Sequence, residues 1–204
     1  MVEYKRSKRE RRTHMELKKL LVTGFMPFGG ELRNPSWEAV NALPDRIGGW
    51  NLSKLLLPVE FGTAARLAIE NAEACHADAV FCVGLAAGRT AVTPELIGVN
   101  VRDASIPDNA GQKYDGEAIR PDGPAAYFST LPVRAMTAAI AAAGVASKLS
   151  YSAGAYVCND LLYTLLDHFS GTQTRIAFVH IPLEKDLPLE SSVLALNAAI
   201  EAIE

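Results

Sequence analysis

Residues 20–40, LLVTGFMPFGGELRNPSWEAV, decide the fold. The stretch opens on an unbroken apolar run, turns through Gly29-Gly30 and closes on a helical pattern, so it reads as strand, turn and helix. The spacing predicts a strand over Lys18–Thr23 and a helix over Ser36–Leu43. Outward from there the same alternation repeats. Apolar runs predict strands at Ser53–Val59, Ala79–Val83, Ile97–Val101, Lys148–Ser150 and Arg175–His180. Helices are predicted at Gly62–Cys75, Pro132–Ala143, Asn159–His168 and Leu189–Ile203. Several strand runs are continuous rather than alternating, as in strands covered by helices on both faces. The pattern is that of an α/β layered domain.

At 204 residues, with 49% apolar and 21% charged side chains, the chain is long enough for a core that needs neither disulfides nor a structural metal. A net charge of −3 gives no electrostatic case for nucleic acid as the main partner. Cys75, Cys82 and Cys158 are odd in number and lack CxxC spacing, which suggests a reducing, cytoplasmic location rather than a disulfide framework or a zinc site. No run reaches the 18 or so apolar residues of a membrane span, and the N-terminus has no signal-like apolar segment. Residues 1–14, MVEYKRSKRERRTH, are strongly basic and poor in apolar groups. They read as a solvated, disordered tail ahead of one domain at 15–204, and their removal is expected to leave folding nearly unchanged. The segment Arg102–Thr130 is rich in Asp, Gly, Pro and Asn and reads as a long surface excursion, covering a site or meeting another subunit.

Cys158 follows the small residues Ser152, Ala153 and Gly154 and precedes a helical pattern. That places it near a helix N-terminus, where unpaired backbone N–H groups favour thiolate and can receive an oxyanion. Two readings stand: a nucleophile, or a buried structural cysteine like Cys75 and Cys82. A nucleophile needs a base. His14 falls in the tail, His76 ends a helix beside Asp78, and His168 lies three helical turns from Cys158, roughly 15 Å away. His180 ends the strand RIAFVH, at a strand terminus where sites in open α/β sheets gather. The carboxylate best placed to orient it is Glu95, in a Gly-rich turn between two strands, ahead of Asp103 and Asp108 in the excursion. The Gly turn after the first strand is not a phosphate loop. It has neither GxGxxG nor GxxxxGK[ST], and Phe25 and Phe28 stand where phosphate oxygens would want bare backbone, which suits an uncharged, flat or ring-shaped ligand better.

Taken together, TGFMPFGG with NPSWEAV, GRTAVTPELIGVN, IPDN, PDGPAAYFSTLP, SAGAYVCN and FVHIP resemble the pyroglutamyl peptidase I (pyrrolidone carboxyl peptidase) family, over nearly the whole chain after residue 14. The resemblance implies a three-layer α/β/α sandwich around a mostly parallel, mixed sheet. It implies a cysteine exopeptidase that removes N-terminal pyroglutamate from peptides, uses no metal or cofactor and forms dimers or tetramers. It makes Cys158 the nucleophile, His180 the general base and acid, and Glu95 the residue that orients His180. Phe25, Phe28, Asn34, Leu85, Tyr156 and Val157 fall at the pocket for the pyrrolidone ring. An ammonium-free ligand of that kind is held by apolar walls and a few backbone groups.

Three positions depart from the family pattern: Leu85 for Gln, Leu96 for a basic residue and Ser105 for Arg. Loss of a buried hydrogen-bonding partner costs about 1–3 kcal/mol and loss of an oxyanion donor about 3–4 kcal/mol. The resemblance therefore implies the same reaction at reduced efficiency. The alternatives are an amidase of another small lactam or amide, for which Leu85 argues, and an inactive or weakly active paralogue, for which Leu96 and Ser105 argue.

Overall fold

A computed structural model describes residues 17–203, and the basic run at 1–14 lies outside the described residues. The chain runs in order through β1 (Lys18–Phe25), α1 (Pro35–Ala42), β2 (Arg46–Ile47), β3 (Trp50–Leu57), α2 (Thr63–Cys75), β4 (Ala79–Leu85), β5 (Thr93–Glu95) and β6 (Ile97–Val99). It continues through β7 (Ala126–Phe128), α3 (Val133–Ala142), α4 (Val157–His168), β8 (Arg175–Ile181) and α5 (Leu189–Glu201). The main sheet has the order β2-β3-β1-β4-β8-β5. Its four central strands are parallel, and the edge strands β2 and β5 are antiparallel to their neighbours. β6 and β7 form a separate antiparallel pair.

The continuous apolar runs are explained by this arrangement. Leu20, Val22, Phe81, Val83, Val179 and Ile181 face one core, which holds buried residues of α1, α3 and α5. Leu21, Phe25, Val80, Cys82, Ile176 and Phe178 face the other, closed by α2 and α4. Each side chain so buried contributes roughly 1.5–3 kcal/mol, and the three-layer α/β/α sandwich is the result. Gly24 lets α1 settle onto the end of β1, because a Cβ there would lie 2.7 Å from Trp37 Cα. Among the described residues no helix is long and apolar enough to cross a membrane.

Two predicted strands are corrected. Ile97–Val101 does not join the main sheet but stops at Val99 and pairs with β7. The Asn159 side chain takes up the backbone there, accepting from Val99 N (2.9 Å) and donating to the carbonyls of Val99 (2.8 Å) and Val101 (3.0 Å). Lys148–Ser150 lies parallel to the β5 segment only through isolated bridges. Lys148 N donates to Val92 O and Ser150 N to Pro94 O, but Pro94 has no N–H to return, so the ladder breaks at that residue. The excursion at 102–130 contains β7 and is tied down rather than loose. Buried Asp108 accepts from the N–H groups of Phe61 (2.8 Å), Ala110 (2.9 Å) and Gln112 (2.7 Å).

Candidate active site

Period-2 alternation along β8 places His180 on the same face as Phe178, toward α4. In the antiparallel register of β5, Thr93 lies opposite His180 and Glu95 opposite Phe178, so both project to that face. Glu95 is fully buried and His180 nearly so. His180 Nδ1 and Glu95 Oε1 are 2.8 Å apart. Cys158 is the second residue of α4, and among the described residues no acceptor meets the N–H of Val157 or Cys158. First-turn amides such as these have no partner within the helix.

The groups meet at a cavity of about 270 Å³ whose lining includes Phe25, Phe28, Leu85, Tyr156, Cys158 and His180. Phe28 and Tyr156 stand with ring centroids 6.5 Å apart, and the Phe178 ring packs 4.7 Å from the imidazole. Asn34 also lines it, but its side chain mainly holds the wall. Asn34 Oδ1 caps α1 by accepting from Ser36 N (3.0 Å), and Nδ2 donates to Met26 O (2.9 Å). Val157 is placed differently from the rest of the expected pocket, because its side chain is buried in the core between the sheet and α4 and does not reach the cavity.

Burial pushes the Cys158 thiol up to about 12, with the charge of Glu95 and the neighbouring Cys82 adding to it and Arg89 opposing. Burial also lowers His180 below its ordinary 6.5, against the hydrogen bond that its ring makes to Glu95 and the charge of that carboxylate. Desolvation of the charged forms outweighs the helix N-terminus that favours thiolate in the sequence reading. Both shifts favour the uncharged forms, thiol and imidazole, at neutral pH.

The other candidates stand apart. His168 makes a surface pair with Glu73 (2.9 Å), and His76 closes α2 in a left-handed conformation. Asp108 is occupied by the backbone donors above, and Asp103 lies exposed outside the cavity lining. Leu96 packs into the core on the far side of the sheet, and Ser105 is exposed and outside the cavity lining, so of the three departures only Leu85 meets the cavity. Two site residues escape the sequence reading. Arg89 Nη1 donates to Glu95 Oε1 at 2.6 Å, and Gly84 leaves the space that the Phe178 ring and the Cys158 sulfur fill.

An α/β/α sandwich with a cysteine at a helix start, facing a histidine and a buried glutamate at the strand ends, defines a cysteine-type hydrolase. Residues 18–204 match the family model described as pyroglutamyl peptidase. The chain is 44% identical to a pyrrolidone-carboxylate peptidase of Levilactobacillus brevis, covering 91% of this chain and 97% of that one. It is 43% identical to one of Staphylococcus aureus, covering 90% and 92%. The crystal structure of Bacillus amyloliquefaciens pyroglutamyl peptidase I superimposes with a TM-score of 0.87 at 38% identity, over 91% of this chain and 96% of that one. The pyrrolidone carboxyl peptidase of Thermococcus litoralis gives 0.87 at 33% identity, over 91% and 93%. The chain belongs to the pyroglutamyl peptidase family.

Proposed function

We propose that this chain removes an N-terminal pyroglutamyl residue from peptides, with Cys158, His180 and Glu95 as its catalytic groups. The observation that carries the reading is the 2.8 Å contact of His180 Nδ1 with buried Glu95, beside a cavity lined by Cys158. With Nδ1–H donating to Glu95, Nε2 is left as the proton acceptor. Cys158 Sγ attacks the carbonyl carbon of the pyroglutamyl residue while its proton passes to Nε2. The N–H groups at the start of α4 stabilise the oxyanion. The tetrahedral adduct collapses, the C–N bond breaks, and His180 returns the proton to the departing amine. Water, deprotonated by His180, then attacks the thioester carbon, the C–S bond breaks, and the Cys158 sulfur takes the proton back from His180 as pyroglutamate leaves.

The lining supports the substrate class. Phe25, Phe28 and Tyr156 offer apolar surface, and among the described lining residues there is no Asp or Glu to meet an ammonium. A neutral lactam enters without an unpaired charge, whereas a free N-terminal proline does not. The test is hydrolysis of a chromogenic pyroglutamyl amide beside its prolyl counterpart. The expected outcome is cleavage of the first with a preference of about 100-fold or more, and equal cleavage of both contradicts the reading. Leu85 in the lining supports a second reading, an amidase of another small lactam, which predicts that such a lactam is the better substrate. Three unpaired cysteines fit a reducing, cytoplasmic location. Exposed Leu32, Phe128 and Leu194 are side chains that a partner copy in a dimer or tetramer would cover, which light scattering checks.

A further inference from the structure

The two oxygens of Glu95 are used unequally. Oε1 meets both His180 Nδ1 (2.8 Å) and Arg89 Nη1 (2.6 Å), while Oε2 is buried with no hydrogen-bond partner among the described residues. Arg89 Nη1 also meets the Thr93 hydroxyl, and Nη2 donates to Ser152 O at 3.0 Å. One guanidinium therefore joins β5, which carries the glutamate, to the segment that leads through Ala153 and Gly154 into the nucleophile's helix.

We infer that Arg89 is a positioning residue of this site. It holds the Glu95–His180 pair and the loop before Cys158 in one frame, and its charge offsets that of Glu95, so the imidazole stays neutral until the thiol gives up its proton. The inference rests on the proposed roles of Cys158, His180 and Glu95. A buried carboxylate left alone beside a histidine favours imidazolium, which is not a base. A partly exposed guanidinium on the same oxygen removes much of that pull. The other ionisable groups around the pair do not take over this part. Cys82, from β4, is buried and pushed up to about 12, so it is uncharged. Tyr156 is raised by burial and uncharged as well, Asp108 is held by backbone amides, and Asp160 in α4 is paired with Arg102 at 2.6 Å. Arg89 lowers both Cys158 and His180, so its removal moves both upward.

The experiment compares the chain with Arg89→Lys and Arg89→Met. It measures the pH dependence of Cys158 alkylation by iodoacetamide, read by mass spectrometry, and of kcat/KM on a chromogenic pyroglutamyl amide. Arg89→Met is expected to move both profiles to higher pH by about one unit and to lower kcat about tenfold or more, and Arg89→Lys to restore most of the profile. A melting curve on each variant reports the fold. Lower activity with unmoved profiles in a folded Arg89→Met protein overturns the inference and leaves a merely structural arginine. If the variant does not fold, the alkylation profile of Arg89→Gln takes its place under the same criterion. Alkylation needs no particular substrate, so a shifted alkylation profile in a chain that does not cleave the amide upholds Arg89 while the substrate assignment fails.

Discussion

Gly84 lies where β4 passes against both the Phe178 ring and the Cys158 sulfur. A Cβ at this position would lie 2.6 Å from Phe178 Cζ and 3.1 Å from Cys158 Sγ, and Phe178 is the ring that packs against His180. Gly84→Ala is therefore expected to push the sulfur and the ring apart. It should lower kcat about tenfold or more, at a stability cost of about 1–3 kcal/mol seen in urea unfolding. Titration at the site gives a second expectation. Because His180 is held below 6.5, the acidic limb of kcat/KM should lie below that pH. The same shift has a sign for stability. As pH falls below 6.5 the unfolded chain binds the proton first, so folding weakens until His180 in the folded state is protonated too. Cys82 and Cys158, held at about 12 against 9.0, act oppositely: their contribution is present below pH 9 and is lost as pH rises toward 12. Urea midpoints across the pH range check both windows.

At the scale of elements, α1 and the loop before it shape the ligand wall. Asn34→Ala removes the cap of α1 and the donor to Met26 O together, so a loss of about 1–2 kcal/mol is expected, with KM rising more than kcat falls. Steady-state kinetics beside a melting curve test this. The elements themselves differ in how plainly the sequence declares them. β1, β4 and β8 are visible because strands covered on both faces need unbroken apolar runs, β3 through its Leu55–Leu57 run alone, and the five described helices appear within a few residues of their observed limits. β2, β5 and β7, of two or three residues each, have no room for a periodic signal. Ile97–Val101 has strand composition, yet it pairs with β7 and its backbone at Val99 and Val101 is bonded by the Asn159 side chain, contacts no local pattern reveals. The site divides in the same way. Position near element ends singles out His180 and makes Cys158 and Glu95 candidates, whereas nothing local in the glycine-rich turn marks Arg89. Gly84 has no meaning until Phe178 lies over it.

Across the whole molecule, the two cores must both close for the strand ends to present one site. The far end of the chain takes part. Ile203 is buried, and its carbonyl accepts from Trp50 Nε1 at 2.7 Å, tying the segment after α5 to the edge of the sheet. Ending the chain at Glu201 is expected to cost about 2–4 kcal/mol and to lower Tm by roughly 5–10 °C, with catalytic constants unchanged in the folded fraction. Calorimetry of the truncated chain checks it. The central claim, that Cys158 attacks a pyroglutamyl carbonyl held in the cavity of Phe25, Phe28 and Tyr156, is tested most directly by acid quenching during turnover of a pyroglutamyl amide, followed by peptide mass spectrometry. The account predicts a pyroglutamyl thioester on the peptide that carries Cys158 and none in Cys158→Ala, which keeps its fold but not its turnover. Turnover by Cys158→Ala, or an acyl group found on another residue, would contradict it.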